Sequence, residues 1–249
     1  MLEKYKKKVK EFIKTVKPYF MEEKRGYAKG MCASKLFLIF AIFSVFGVYY
    51  EQILNLITHY LDDGSIFWEI RRGVIYGPFN PLYGAGAVLF TVLLLRKDNM
   101  SNFKTLLYGA LIGGFFEYTT SLLQEIFIGT TSWDYSNHFL NIGGRTTIPF
   151  MFVWGLLSLI YVKKIYPFIS KVIENVPYNL MKTITICLVV FLSLDMFLSW
   201  TALLRQNERR KGIEPWSPLG QSLSRWKTCK ILSKYGSKGV KICIYWFYL

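Results

Sequence analysis

Residues 36–58 read LFLIFAIFSVFGVYYEQILNLIT. The run is apolar for fourteen residues apart from Ser44, then admits Glu51, Gln52 and Asn55. A soluble domain alternates apolar and polar faces, whereas here the apolar residues come in blocks, which points to lipid as the solvent. The bilayer core is about 30 Å thick, so a spanning helix needs about 20 mostly apolar residues. Four further runs follow at about 81–95, 103–128, 148–162 and 183–204. The expected fold is therefore all-α: a polytopic membrane helix bundle of about five transmembrane helices. The second and fourth runs are short and must extend into their flanks or be partly re-entrant.

The chain of 249 residues divides by composition into three parts. Residues 1–34 are basic, with Leu2, Tyr5, Val9, Phe12, Ile13 and Val16 at helical spacing and Pro18 as a stop, which predicts an amphipathic helix on the membrane surface. A solvated basic tail is the alternative. Residues 35–204 hold the transmembrane bundle. Residues 205–249 carry ten Lys and Arg, no acid after Glu214 and no helical periodicity. Either the crossing count is off by one, or this tail is non-native in sequence, as after a frameshift.

The net charge is +15. The basic residues lie outside the apolar runs, so anionic lipid headgroups, not nucleic acid, are the expected partner. Segments on alternate sides of the five runs, the tail apart, carry 18 Lys and Arg against 3. By the positive-inside rule the N-terminus is cytoplasmic, and loops 59–80 and 129–147 face outward across the cell membrane. No cleavable signal peptide is expected, because more than thirty residues precede the first run. The four Cys form no CxxC or CxH spacing and read as inert thiols. No metal or cofactor is expected. GxSxG, HExxH and GxxxxGK[ST] do not occur, so the chain is not itself a nucleotide-driven motor.

Three acids fall well inside the runs: Glu51, Glu117 and Asp195. A carboxylate at mid-membrane costs about 2.5–3.5 kcal/mol or more, so it faces the bundle interior, pairs or is protonated. Gly47, Glu51, Asn55 and His59 recur every four residues, as do Gly109, Gly113, Glu117, Ser121 and Glu125; Asp195 and Ser199 are one turn apart. Four-residue spacing keeps neighbours on one helix face. Three acid-bearing stripes are thus expected to meet in a polar cavity opening outward, and the GxxxG pair lets a neighbouring helix approach closely. Arg145 is placed to reach Glu117 or Glu125, and Arg72 to reach Glu51. Asp134, Asn141, Trp133 and Tyr135 supply donors and interface rings in the second outward loop.

The first outward loop, IRRGVIYGPFNPLYGAG (residues 70–86), places Gly77-Pro78 and Asn80-Pro81 before the second run. Such a chain enters the bilayer as a re-entrant loop or broken helix, or else is an ordinary connector. A structural network, a cavity for a solute and a catalytic site all remain open as uses of the acids.

The pieces VYYEQI, RRGVIYGPFNPLYGAG, FFEYTTSLLQEIF, WDYSNHFLNIGGR and LSLDMFLSW resemble the bacterial integral membrane family of ABC-transporter type IV permeases, over about residues 35–214. The resemblance marks Glu51, Arg72, Gly77, Pro78, Pro81, Tyr83, Gly84, Glu117, Tyr118, Glu125, Trp133, Asp134, Tyr135, Asn141 and Arg145. It implies a permease for an unidentified solute, working with a separate ATPase that would contact the inward loop 163–182. The resemblance fails beyond Pro215, in line with a non-native tail. Two other functions compete. One is a membrane-embedded enzyme acting on a lipid or envelope precursor, with Asp134 and Glu125 as acid or base. The other is a non-transporting scaffold.

Overall fold

The computed structural model describes residues 27–64, 66–71, 73–95, 100–129, 131–215, 218, 221, 229–232 and 241–245. The amphipathic helix expected at 2–17, and Arg72, lie outside the described residues. The fold is all-α, with helices α1 (Ala33–Asp63), α2 (Pro81–Leu94), α3 (Asn102–Ile128), α4 (Ile148–Ile160), α5 (Tyr166–Asn175) and α6 (Tyr178–Arg210). Three continuous helical stretches are long and apolar enough to cross a membrane: Ala33–Asp63, Ile148–Asn175 and Tyr178–Arg209.

Local chemistry sets the helix ends. Gly64 closes α1 with φ of 69° and donates its N–H to the Tyr60 carbonyl, a left-handed cap that suits a residue without Cβ. Asn80 caps α2, its side chain accepting from Leu82 N, with Pro81 at the first helical position where its missing N–H costs nothing. Ser101 and Thr147 cap α3 and α4 through their hydroxyls.

Between α4 and α5 the helix runs through a π-helical turn, Tyr161–Ile165. Pro167 follows in the first turn of α5. A proline removes one helical donor and crowds the preceding turn, and a wider turn just upstream accommodates it. Residues Tyr166–Asn175, which take in Pro167 and end before Pro177, are helical and continue the fourth run. The inward loop expected at 163–182 is corrected accordingly: only Val176 and Pro177 interrupt the helices there.

The contacts give an alternating up-and-down order. At one end, Lys35 of α1 pairs with Glu174 of α5, Tyr27 packs edge-on to Tyr178 of α6, and Lys163 donates to the Met100 carbonyl just before α3. At the other end, Gly129 after α3 lies against Asn207 of α6. The apolar core sits at the first end, where Ile39, Phe90, Leu94, Tyr161 and Ile173 are buried together.

Close helix packing uses small residues, as expected where lipid supplies no hydrophobic drive between helices. Gly109 of α3 faces Ser158, and Gly155 of α4 faces the Leu106 carbonyl and Ala110. The GxxxG pair therefore works inside this chain. Gly47 of α1 lies under the Tyr83 ring, and Gly84 of α2 lies on Phe40 and Ser44.

The segment 66–80 does not return along the surface. Its strand β1 (Phe67–Arg71) pairs in parallel with β5 (Lys241–Tyr245), which pairs antiparallel with β4 (Cys229–Leu232). Residues 73–80 then run into the bundle, with Val74 and Ile75 buried. Asn80 N donates 2.8 Å to the Ser44 carbonyl. Ser44 lies eleven residues into α1, roughly 17 Å from its start and about 28 Å from its end at 1.5 Å per residue. α2 thus begins deep along α1, and its 14 residues cover only about 21 Å.

Candidate functional site

An irregular backbone inside a helix bundle must find partners for its N–H groups. Segment 73–80 finds them on two helices. Ile75 N donates 2.8 Å to Ser199 Oγ, and Tyr76 N donates 3.0 Å to Asp195 Oδ1, both on α6. Gly73 N donates 2.9 Å to the Phe79 carbonyl. Phe79 rests against Phe191, one turn before Asp195 on α6. Gly77 has a φ of 72°, which only glycine adopts without strain, and Pro78 fixes the following turn. Asp195 therefore serves as an acceptor for loop amides, and Ser199 shares that work.

The other two membrane acids each accept from a tyrosine. Tyr83, in the first turn of α2, donates 2.9 Å to Glu51 Oε1 on α1. Tyr135, in the loop after α3, donates 3.0 Å to Glu117 Oε1 on α3. Thr146 of β3 (Thr146–Thr147), which pairs with β2 (Asn141–Ile142), donates 2.7 Å to Glu117 Oε2. The Trp154 ring of α4 lies close by. Glu117 is 8% exposed, and both of its hydroxyl donors are neutral. Burial pushes the Tyr135 phenol well above its usual range, and the charges of Glu117 and then Glu51 push it further. Glu51 of α1 is thus within electrostatic reach of Tyr135.

Arg145 goes to Glu125, not to Glu117. Its guanidinium pairs with Glu125 Oε2, donates 3.2 Å to Ser121 Oγ and lies 5.9 Å from the Tyr118 ring centre. The Glu125 partner holds the guanidinium's pKa above its already high value. Glu125 is half exposed, so solvent screens this pair and it contributes little to stability. Its effect is geometric. Trp133 Nε1 donates 2.8 Å to the Arg145 carbonyl, so the same residue ties the loop's ring to α3.

Loop 131–147 is shaped by its own polar groups. Asp134 Oδ1 accepts from both the amide and the hydroxyl of Ser136, and these donors hold its carboxyl below the usual carboxylate range. Asn141 donates 3.1 Å to the carbonyls of Ser136 and His138 and accepts from Gly144 N. Gly144 has a φ of 69°, and a Cβ there would meet Ser136 and Asp134. Tyr135 stacks on Phe150 with ring centres 5.0 Å apart, and His138 packs on both. The loop is thus a preset shape that delivers Tyr135 and Thr146 to Glu117 and Arg145 to Glu125. Glu125 and Asp134, the acid or base candidates of an enzyme, are each engaged in these contacts.

Sequence reasoning missed five participants. Thr146 and Thr147 looked like plain loop residues, Trp154 looked like one more apolar helix residue, and Ser44 lies in an otherwise apolar run. Lys35 was counted with the basic N-terminal segment, yet it is 1% exposed and joined to Glu174 and Ser170. A lysine and a glutamate 139 positions apart give no local signal. Thr146 had one, being a hydroxyl next to the only basic residue of its loop.

No curated protein and no solved structure matches this chain. One family model, described as "Putative ABC-transporter type IV", matches residues 38–200. The match begins within α1 and ends within α6, and so takes in Glu51, segment 73–80, Glu117, loop 131–147 and Asp195. Covering well over half of the chain, it makes the protein a member of the ABC-transporter type IV family.

Proposed function

We propose that this chain is the permease-like subunit of an ABC-type transporter in the cell membrane, crossing it five times with a cytoplasmic N-terminus and working with a separate ATPase. The observation that carries the reading is the broken second crossing. Segment 73–80 enters the bundle as irregular chain, held by Asp195 and Ser199, and α2 starts beside the middle of α1. Interrupted membrane helices are tolerated where they line a solute path, and their free N-termini sit near the binding site. Here that N-terminus carries Tyr83, the partner of Glu51, with Tyr135, the partner of Glu117, within electrostatic reach of both.

The orientation rests on the 18 to 3 imbalance of Lys and Arg, and the alternating helix order agrees with it. Solute would pass between α1, α2 and α3, with loop 131–147 as the outer cover. The carboxylates of Glu51 and Glu117 would meet it.

The test is affinity purification of the tagged full-length chain from its native membranes in mild detergent. An ATP-hydrolysing subunit should co-purify, and Glu117→Gln should abolish solute-stimulated ATP hydrolysis while the complex stays assembled. Purified chain that carries no ATPase and turns over a membrane lipid by itself would refute the transporter reading and favour the enzyme.

A further inference from the structure

The end of the bundle that carries Lys35 and Glu174 has a surface of mixed chemistry. On the continuous helix from α4 into α5, Phe168 lies four residues after Lys164, and Lys171 and Val172 lie three and four residues after Phe168, on a single stripe. All four are exposed, Phe168 at 69%. The neighbouring stripe, Ile165, Ile169 and Ile173, packs into the core. In the first turns of α6, just past Pro177, Leu180 is 53% exposed and the Lys182 ammonium lies 6.0 Å from the Tyr178 ring centre.

The charge on this face is one-sided. Glu174 is the only carboxylate between residues 161 and 194, and it is taken up by the buried Lys35. The three exposed ammonium groups are therefore not neutralised by their own segment. Phe168, Val172 and Leu180 stand between them. Water would leave that carbon uncovered, and a polynucleotide would satisfy the lysines only. A phospholipid satisfies both at once, with its phosphate on the ammonium groups and its glycerol and upper acyl carbons on the apolar side chains.

The depth agrees. The continuous helix Ile148–Asn175 has 28 residues and is about 42 Å long, some 12 Å more than the hydrocarbon core. Its last eight or so residues must emerge among the headgroups, and these include Phe168, Lys171 and Val172.

We infer that Lys164, Lys171 and Lys182, with Phe168, Val172 and Leu180 between them, form a binding site for anionic phospholipid of the adjoining leaflet. The site requires neither transport nor an ATPase, so it stands or falls separately from the permease reading.

The experiment is native mass spectrometry of the detergent-purified full-length chain, titrated with phosphatidylglycerol and with phosphatidylcholine. Wild type should hold phosphatidylglycerol at least tenfold more tightly. The triple variant Lys164→Gln, Lys171→Gln, Lys182→Gln should lose about fivefold per lysine, on the order of 100-fold in all. A control triple, Lys227→Gln, Lys230→Gln, Lys234→Gln, removes the same charge from the C-terminal tail and should change affinity less than threefold. Equal affinity of wild type for the two lipids would overturn the site. So would equal losses in the two triples, which make net charge the cause. Unchanged lipid binding in the first triple also overturns it, and loss of a co-purifying ATPase in that variant would reassign the surface to a protein partner.

Discussion

Replacing Glu117 distinguishes a carboxylate that holds the fold from one kept for function. Its oxygens accept from the hydroxyls of Tyr135 and Thr146. In water, bonds to a charged acceptor contribute about 1.5–3 kcal/mol each. Inside membrane proteins measured values average about 0.6 kcal/mol and reach about 1.7. The membrane figure applies to a site 8% exposed within the bundle. Glu117→Ala removes two such bonds and should cost about 1–3 kcal/mol. Glu117→Gln should cost less than about 1 kcal/mol, because Tyr and Thr hydroxyls can turn round and accept from the new amide. Unfolding in mixed micelles on titration with dodecyl sulfate, followed by tryptophan fluorescence, reads both costs. If Gln proves as damaging as Ala, the negative charge itself holds the fold, a cation must pair with it, and the neutral cage described above is wrong. If Gln is stable and fully active in solute-stimulated ATP hydrolysis, the charge has no part in transport.

Gly109→Ala would drive a Cβ into Ser158 and should cost about 1–3 kcal/mol, whereas Gly86→Ala, which meets only Phe116 at 3.6 Å, should be neutral or slightly stabilising in the same unfolding assay. Arg145→Ala should leave the unfolding midpoint nearly unchanged, since its Glu125 partner is half exposed, yet lower ATP hydrolysis by the complex; Arg145→Lys should not rescue it, because a single ammonium cannot span Ser121 and Glu125 as the guanidinium does. The Asp134 carboxyl titrates below its ordinary value of 3.8, so its contribution to loop order is present above that value and is lost as pH falls through the lower folded value. Hydrogen exchange at the Ser136 amide should accelerate in acid beyond its intrinsic trend, and Asp134→Asn should abolish that acid step.

The helices themselves were legible because the solvent dictates them. Apolar blocks of membrane length have no alternative to helix, since each backbone group must be satisfied within its own segment. The runs expected at 36–58, 81–95, 103–128, 148–162 and 183–204 correspond to α1, α2, α3, α4 and α6. Four-residue spacing likewise brought Glu51 and Glu117 to interior faces. The continuation of α4 through Tyr161–Ile165 into α5 was not legible. Two lysines and a proline read as a loop, and whether a helix absorbs them depends on what it packs against.

Sequence alone, then, determined the solvent, the helical class and the family, because these depend on composition and local order. Tertiary structure decided the partners: Arg145 with Glu125 and not Glu117, Asp195 with the amide of Tyr76, Lys35 with Glu174. A side chain's partner is set by the depth and rotation of its helix against the next. Those are fixed by contacts such as Gly47 under Tyr83 and Gly109 on Ser158, between residues 36 and 49 positions apart, which no periodicity along one chain can specify.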